Sequence, residues 1–297
     1  PMALPDATFL DYAADIKRDV KIPVIAVGRL GDPDTARMAI EQGKADFISL
    51  GRSLVADPDW VEKLRRGEPR RACLACNTCV NEMRGGAGMA CVVNGAAGRE
   101  RQFENGKRPA GERIAIVGAG PAGLTYASLV AEGNQVTVFE CEQQAGGAFR
   151  YAGKAPLFQE VDANPASFER YIDLMVRACE QRGVAIRYAV NVADQPGVLD
   201  AFDRIIIATG ARYRHGLGPL VRATLDAGVA HWPAIRRLAS SNRFRNWFYY
   251  QAREGTAATL MQRLGSRPNM IAIGDAVKAG KSKEAIASAF EAAMHAD

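Results

Sequence analysis

The chain has 297 residues, 48% of them apolar and 24% charged, with a net charge of +5. That length suits two domains and that balance suits an ordinary globular protein. The charge is too mild and scattered to indicate a nucleic-acid partner, and no apolar run approaches the roughly 20 residues of a membrane helix.

In chain order, apolar positions Phe9, Leu10, Tyr12, Ala13 and Ile16 space a helix within 6–21. IPVIAV (22–27) is a continuous apolar run ending in Gly28-Arg29, as in a buried parallel strand. DPDTARMAIEQGK (32–44) reads as a helix with Asp32 as N-cap, Pro33 at its first position and Gly43 near its end. ADFISLGR (45–52) repeats the strand and its Gly-Arg ending, now Gly51-Arg52, and DPDWVEKLRRG (57–67) repeats the Asp-Pro helix start. Residues 1–72 therefore hold two β/α units of one design. Two parallel strands cannot cover both faces of a sheet alone. The region is read as the end of a larger sheet, whose remainder lies upstream or on another polypeptide.

Residues 92–112 are polar, Gly-rich and aperiodic, and are expected to be a linker. RIAIVGAGPAG (113–123) then opens a dinucleotide-type domain over 113–297, with a strand, a Gly-rich turn and a helix through about 132. Strands are expected at 135–140, 184–190, 203–210 and 270–275, and helices at 165–183 and 281–296, with a long loop at 145–164. Residues 211–265 are rich in Arg and aromatics and show no clear strand pattern. A solvated amphipathic helix or a docking surface suits the run 236–253 better than nucleic-acid binding does.

Four of the six cysteines fall within 73–91, as Cys73-x2-Cys76-x2-Cys79-x11-Cys91. Six cysteines in so long a chain without a recognisable signal peptide point to a reducing, cytoplasmic setting and a metal rather than a disulfide scaffold. Structural zinc usually takes paired C-x2-C knuckles, two and two. The 3+1 pattern suits a [4Fe–4S] cluster better, with zinc or uncoordinated thiols as alternatives. Cys141 and Cys179 read as packed thiols, and His215, His231 and His295 have no ligand spacing.

GAGPAG (118–123) lies between a strand and a helix, the context that gives the motif its meaning. Gly118 makes the tight turn, Gly120 admits a pyrophosphate, and Gly123 lets helix and strand approach. The helix start, with Pro121 and Ala122, offers unpaired N–H groups to phosphate. Glu140, ending the next strand, is placed to accept from a ribose diol. Gly147, Gly210 of ATG, and Gly274-Asp275 of IGD are assigned to the same ligand edge, with a loop or cap role as the alternative for Asp275. If the two β/α units end a TIM barrel, Gly28, Arg29, Gly51 and Arg52 lie at its C-terminal face, where phosphates commonly bind. A structural ion pair is the alternative for either arginine.

Taken together, PVIAVGR, ADFISLGRSLVADPDW, CLACNTC with Cys91, NGAAGRE, RIAIVGAGPAGL and IAIGDAVKAGKSKEAIASAFEAA resemble the C-terminal portion of old-yellow-enzyme-like, iron–sulfur NADH:flavin oxidoreductases. That group includes 2,4-dienoyl-CoA reductase and trimethylamine dehydrogenase. The resemblance implies an α/β fold in three parts: a TIM-barrel end (1–72), an iron–sulfur loop and linker (73–112), and a Rossmann-like FAD/ADP-binding domain (113–297). It implies FMN at Gly28, Arg29, Gly51 and Arg52, a [4Fe–4S] cluster on Cys73, Cys76, Cys79 and Cys91, and FAD or ADP at Gly118, Gly120, Gly123, Glu140 and Asp275. In such proteins the substrate-side acid and base come from earlier barrel strands, so no catalytic residue is assigned here. Family reductases carry a second dinucleotide fold between ATG and GD; residues 211–265 lack its glycine motif, so NAD(P)H binding there is not expected.

The expected activity is hydride transfer between a small-molecule substrate and FMN with single-electron transfer through the cluster. Oxidative amine N-demethylation with an electron-transferring flavoprotein as acceptor is favoured. An NAD(P)H-dependent enoate or 2,4-dienoyl-CoA reductase, or a non-enzymatic electron-transfer subunit of a split enzyme, are the alternatives. A homo-oligomer with neither nucleic-acid nor membrane partners is expected.

Overall fold

The computed structural model describes residues 2–158 and 161–295. Helix α1 (Leu10–Asp19) precedes strand β1 (Ile25–Val27), helix α2 (Pro33–Glu41) and strand β2 (Phe47–Ser49). The strands pair in parallel with Ile25 opposite Phe47. Asp32 caps α2 by accepting the Thr35 N–H at 3.0 Å, with Pro33 at the first turn, as the sequence indicates. Both strands are shorter than expected: β1 begins three residues late and still ends at Val27, while β2 begins at Phe47 and stops at Ser49, ahead of the Gly51-Arg52 turn. Gly51 caps an unforeseen short helix, α3 (Arg52–Ala56), ahead of α4 (Trp60–Arg66). Only one side of this parallel pair is covered: Ala26 is buried, whereas Ile25, Val27 and Phe47 are 61%, 60% and 58% exposed. Such apolar exposure on parallel strands is what an incomplete sheet presents.

Helix α5 (Thr78–Arg84) lies within the cysteine stretch and α6 (Glu100–Phe103) in the segment read as a linker. That reading needs correction. Val92, Val93, Asn94, Ala97 and Phe103 are buried. Arg99 pairs with Glu291 at 2.7 Å, and a Cβ on Gly95 would lie 2.8 Å from the Phe290 ring. Small residues that look like flexible spacers are here because a helix presses on the backbone. The segment is packed over 92–97 and at Phe103, and exposed over much of its remainder.

The second domain begins with β3 (Arg113–Val117), α7 (Pro121–Val130) and β4 (Gln135–Phe139). Within the expected loop 145–164 lie a short helix α8 (Phe149–Ala152) and a small antiparallel pair, β5 (Leu157–Phe158) and β6 (Val161–Asp162). Then come α9 (Pro165–Gln181), β7 (Ala185–Arg187) and β8 (Arg204–Ile207). The sheet is completed by β11 (Met270–Ala272), and α14 (Ser282–Met294) packs on α7. Its order is β11-β8-β3-β4-β7, with every pairing parallel. In β3, Ile114 and Ile116 join one core with α7, α9 and α14, while Ala115 and Val117 join another with Ile205, Ile207 and Leu264. A strand buried on both faces must be apolar throughout, which explains the run IAIV.

Between β8 and β11 the chain forms β9 (Ala211–Tyr213), α10 (Gly218–Asp226), α11 (Pro233–Ser240), α12 (Asn242–Tyr250), β10 (Arg253–Gly255) and α13 (Ala257–Arg263). The expectation of no strands here is corrected: β9 and β10 form an antiparallel ribbon. Each strand has only three residues, too short for an alternating pattern to register. Among the described residues this segment has no βαβ unit. None of the described helices is long and apolar enough to cross a membrane.

Candidate functional site

The two Gly-Arg turns converge. A cleft of about 320 Å³ is lined by Gly28, Arg29, Gly51 and Arg52 together with Cys73, Arg70, Arg71 and Arg170. Gly28 has φ +118 and Arg29 φ +53, a left-handed turn that side chains seldom adopt. Arg29 is held by Asp6 at 2.7 Å, and Asp6 also takes Arg170 from α9 at 2.9 Å. Arg71 donates to the Ala56 carbonyl at 3.0 Å, and its own N–H donates to the fully buried Asp57 at 2.8 Å. Several guanidinium groups around one cleft create a positive field suited to a phosphate.

Three of these arginines were missed. Arg70 and Arg71 end the basic run RRGEPRR, whose shortness concealed that its last pair faces the Gly-Arg turns. Arg170 comes from the other domain, and no local pattern announces it.

The cysteine stretch adjoins the cleft. All six cysteines are free. Ala75 (φ +52) and Asn77 (φ +62) are left-handed, coiling the loop tightly between Cys73 and Cys79. The Ala75 N–H donates to the Cys73 sulfur at 3.4 Å, and Cys76 Sγ lies 3.3 Å from Thr78 Oγ1. Arg52 donates to the Asn77 side-chain oxygen at 2.5 Å, joining the loop to the Gly51 turn. Burial raises the Cys73 and Cys76 thiols and lifts Cys91 to about 12, with Cys73 and Cys76 adding charge repulsion at Cys91. Neutral, clustered thiols in an apolar setting are the donor set that a soft metal deprotonates on binding. Among the described residues no three His, Cys, Asp or Glu side chains already converge in metal-ligand geometry.

The Gly-rich turn occupies the C-terminal edge of β3. Gly118 has φ +109, and its N–H bonds the Phe139 carbonyl at 2.7 Å. A Cβ on Gly123 would lie 2.0 Å from the Gly118 carbonyl oxygen, so helix and strand meet backbone to backbone. A Cβ on Gly120 would meet nothing within 4 Å, which leaves the space a ligand backbone contact requires. Pro121 and Ala122 open α7 beside it. Gly147 approaches from the following loop, its Cβ position 3.3 Å from Gly120 Cα. Glu140 is buried and accepts the Ala119 N–H at 2.7 Å and the Glu142 N–H at 2.9 Å. These bonds fix the carboxylate beside the turn, and its remaining lone pairs can still accept.

Across β3 from Glu140, Gly274 (φ +62) brings its chain against Ala122, with a Cβ position 3.0 Å from that side chain. Asp275 follows, paired with Arg253 at 3.4 Å. Burial raises the Asp275 carboxyl to about 6 despite that cation. Gly210 (φ +74) accepts from Thr256 Oγ1 at 2.7 Å through its carbonyl. Arg253, 8% exposed, had no sequence signal; the β9–β10 ribbon alone delivers it.

The NADH:flavin oxidoreductase / NADH oxidase family matches residues 7–71, and a NAD(P)-binding Rossmann-like domain matches 116–162. The chain is 36% identical over 219 residues to a metal reductase of Desulforamulus reducens, covering 71% of this chain and 32% of that protein. It is 30% identical over 220 residues to an N,N-dimethylglycine/sarcosine dehydrogenase of Chromohalobacter salexigens, covering 71% and 30%. It thus spans about a third of the length of these curated relatives. A structure of 2-naphthoyl-CoA reductase shares the fold with a TM-score of 0.78 at 20% identity, over 99% of this chain and 57% of that one.

Proposed function

The chain belongs to the NADH:flavin oxidoreductase / NADH oxidase family, among its old-yellow-enzyme-like members, and from that premise we propose that it serves an oxidoreductase with FMN, a [4Fe–4S] cluster and FAD or ADP. One observation carries the reading: a single cleft is walled by both Gly-Arg turns and by Cys73. Phosphate and cluster sites are then neighbours.

The residues present fit these groups. Gly28, Arg29, Gly51 and Arg52 would hold the FMN phosphate at the end of a TIM barrel, with Arg70, Arg71 and Arg170 adding charge. Cys73, Cys76, Cys79 and Cys91 would hold the cluster as thiolates. Gly118, Gly120, Gly123, Glu140, Gly147, Gly210, Gly274 and Asp275 would hold the dinucleotide, with α7's first N–H groups toward the pyrophosphate. When bound, FMN supplies hydride chemistry and the cluster single-electron transfer. This chain's own work is to position these groups and exclude water; no substrate acid or base is assigned to it.

The substrate reading favours oxidation of a small methylated amine, with a partner flavoprotein as acceptor. The helices and ribbon at 211–265 support it, since a nicotinamide-binding βαβ fold needs the strand–glycine–helix unit. The named activity of the Chromohalobacter relative supports it too. The reductase name of the 36% identical relative favours the second reading, NAD(P)H-dependent reduction of an enoate or dienoyl-CoA. Anaerobic stopped-flow mixing separates them. Flavin bleaching by dimethylglycine or dimethylamine, with none by NADPH, is expected. Bleaching by NADPH alone would establish the second reading.

A further inference from the structure

One helix touches both of the candidate nucleotide sites. Arg170 and Ile172 lie two positions apart on α9, about 200° around its axis, and so leave it on nearly opposite faces. Arg170 lines the Gly-Arg cleft, where its Nη1 donates to Asp6 Oδ2 at 2.9 Å, while Asp6 Oδ1 accepts from Arg29 at 2.7 Å. The Arg170 side chain is still 44% exposed, so it keeps donors for an anion in the cleft. Ile172 packs the other way, onto the loop beside the Gly-rich turn. A Cβ on Gly146 would lie 2.6 Å from Ile172 Cδ1, so that methyl rests on the Gly146 backbone. Gly146 in turn donates its N–H to the Ala119 carbonyl at 2.8 Å, and the Cβ position of Gly147 lies 3.3 Å from Gly120 Cα.

Helix α9 is held stiffly, with Phe168, Tyr171, Ile172, Met175 and Cys179 all buried. A helix packed in this way answers a pull at one point by shifting as a unit. Seating Arg170 on a phosphate fixes α9, and with it the wall against which the Gly146–Gly147 loop closes on Gly120. Two ligands that order the same element need order it only once, so the second to arrive binds more tightly.

We propose that α9 couples the two sites: a phosphate group gripped by Arg170 in the Gly-Arg cleft and a dinucleotide at Gly120 each strengthen binding of the other, through Arg170 on one face and Ile172 on the opposite one. This rests on the phosphate and dinucleotide readings given above. The coupling is reciprocal, as linkage requires.

The test is calorimetric titration of nucleotide-depleted protein with FMN, alone and at saturating ADP, and with ADP, alone and at saturating FMN. In wild type each nucleotide is expected to bind about fivefold or more tightly when the other is present, by the same factor in both directions. Arg170→Gln should weaken FMN alone, leave ADP alone within about twofold, and bring the coupling below about twofold. Ile172→Val removes the Cδ1 methyl that rests on Gly146. It should leave FMN alone within about twofold and likewise bring the coupling below about twofold. Hydrogen exchange gives a second readout: FMN alone should slow exchange of the 145–153 amides in wild type and in neither variant. Thermal melts identify a variant that fails to fold, and the other then carries the comparison. Independent binding of FMN and ADP in wild type, or coupling that survives both substitutions, would overturn the proposal while leaving both sites standing. Failure of the wild type to bind FMN or ADP would remove the site concerned, and the coupling with it.

Discussion

Arg52 and Asn77 are joined side chain to side chain at 2.5 Å, tying the second Gly-Arg turn to the middle of the cysteine loop. Asn77 holds φ +62, a conformation that Asn adopts at less cost than Ala. Two substitutions therefore separate its roles. Asn77→Gly removes the amide and keeps the turn. Asn77→Ala removes the amide and strains the turn, and should be less stable than Asn77→Gly by about 1 kcal/mol in urea unfolding. Both should lose iron to a chelator faster than wild type, since the loop is released from Arg52. Identical stabilities would show that the left-handed turn is not held in solution.

Gly120 and Gly123 lie in one motif but predict opposite outcomes. A Cβ at 123 meets the Gly118 carbonyl at 2.0 Å, so Gly123→Ala should destabilise the fold by about 1–3 kcal/mol. A Cβ at 120 meets no protein atom within 4 Å. Gly120→Ala should melt within a degree or two of wild type, by the scaling for a small ΔΔG, yet lose bound dinucleotide. Full FAD retention by Gly120→Ala would place the nucleotide elsewhere.

Much of this was legible in the residues. RIAIVGAGPAG required a strand, a turn and a helix because a doubly buried strand and two backbone contacts leave few other residues possible. Asp32-Pro33 and Asn164-Pro165 start helices for reasons local to a few residues, capping and a preset φ. Position in three dimensions was not legible. Arg170 reaches the first cleft from another domain, Arg253 reaches Asp275 across a ribbon of two three-residue strands, and Gly95 is small because Phe290 presses on it. These are tertiary facts, and a linear pattern of polar and small residues at 92–112 reads the same whether packed or solvated.

Asp275 carries a pH signature. Its carboxyl rises from 3.8 to about 6, chiefly through burial. The folded chain therefore keeps this proton across a window, about 4 to 6, in which the unfolded chain has lost it. Stability from this group is greatest at the acid end of that window and falls as pH rises through it. The total is on the order of 2–3 kcal/mol. Guanidinium unfolding of ligand-free wild type and Asp275→Asn between pH 4 and 7 checks this. The wild-type curve should fall relative to the variant as pH rises, and parallel curves would contradict it.

The cysteine loop predicts proton release. Burial keeps Cys73, Cys76 and Cys91 protonated at neutral pH, with Cys91 raised to about 12. Metal-depleted protein should alkylate slowly at pH 8 at these positions, judged by peptide mass mapping. Anaerobic reconstitution with iron and sulfide should acidify a weakly buffered solution. Fast alkylation at pH 8 would show that the loop opens when empty.

The four cysteines link the two nucleotide sites through whatever they hold, and elemental analysis of anaerobically purified protein tests that most directly. About four iron and four acid-labile sulfide per chain are predicted, as a [4Fe–4S] cluster requires. Zinc with neither iron nor sulfide, or a similar iron and sulfide content after Cys76→Ser, would contradict it.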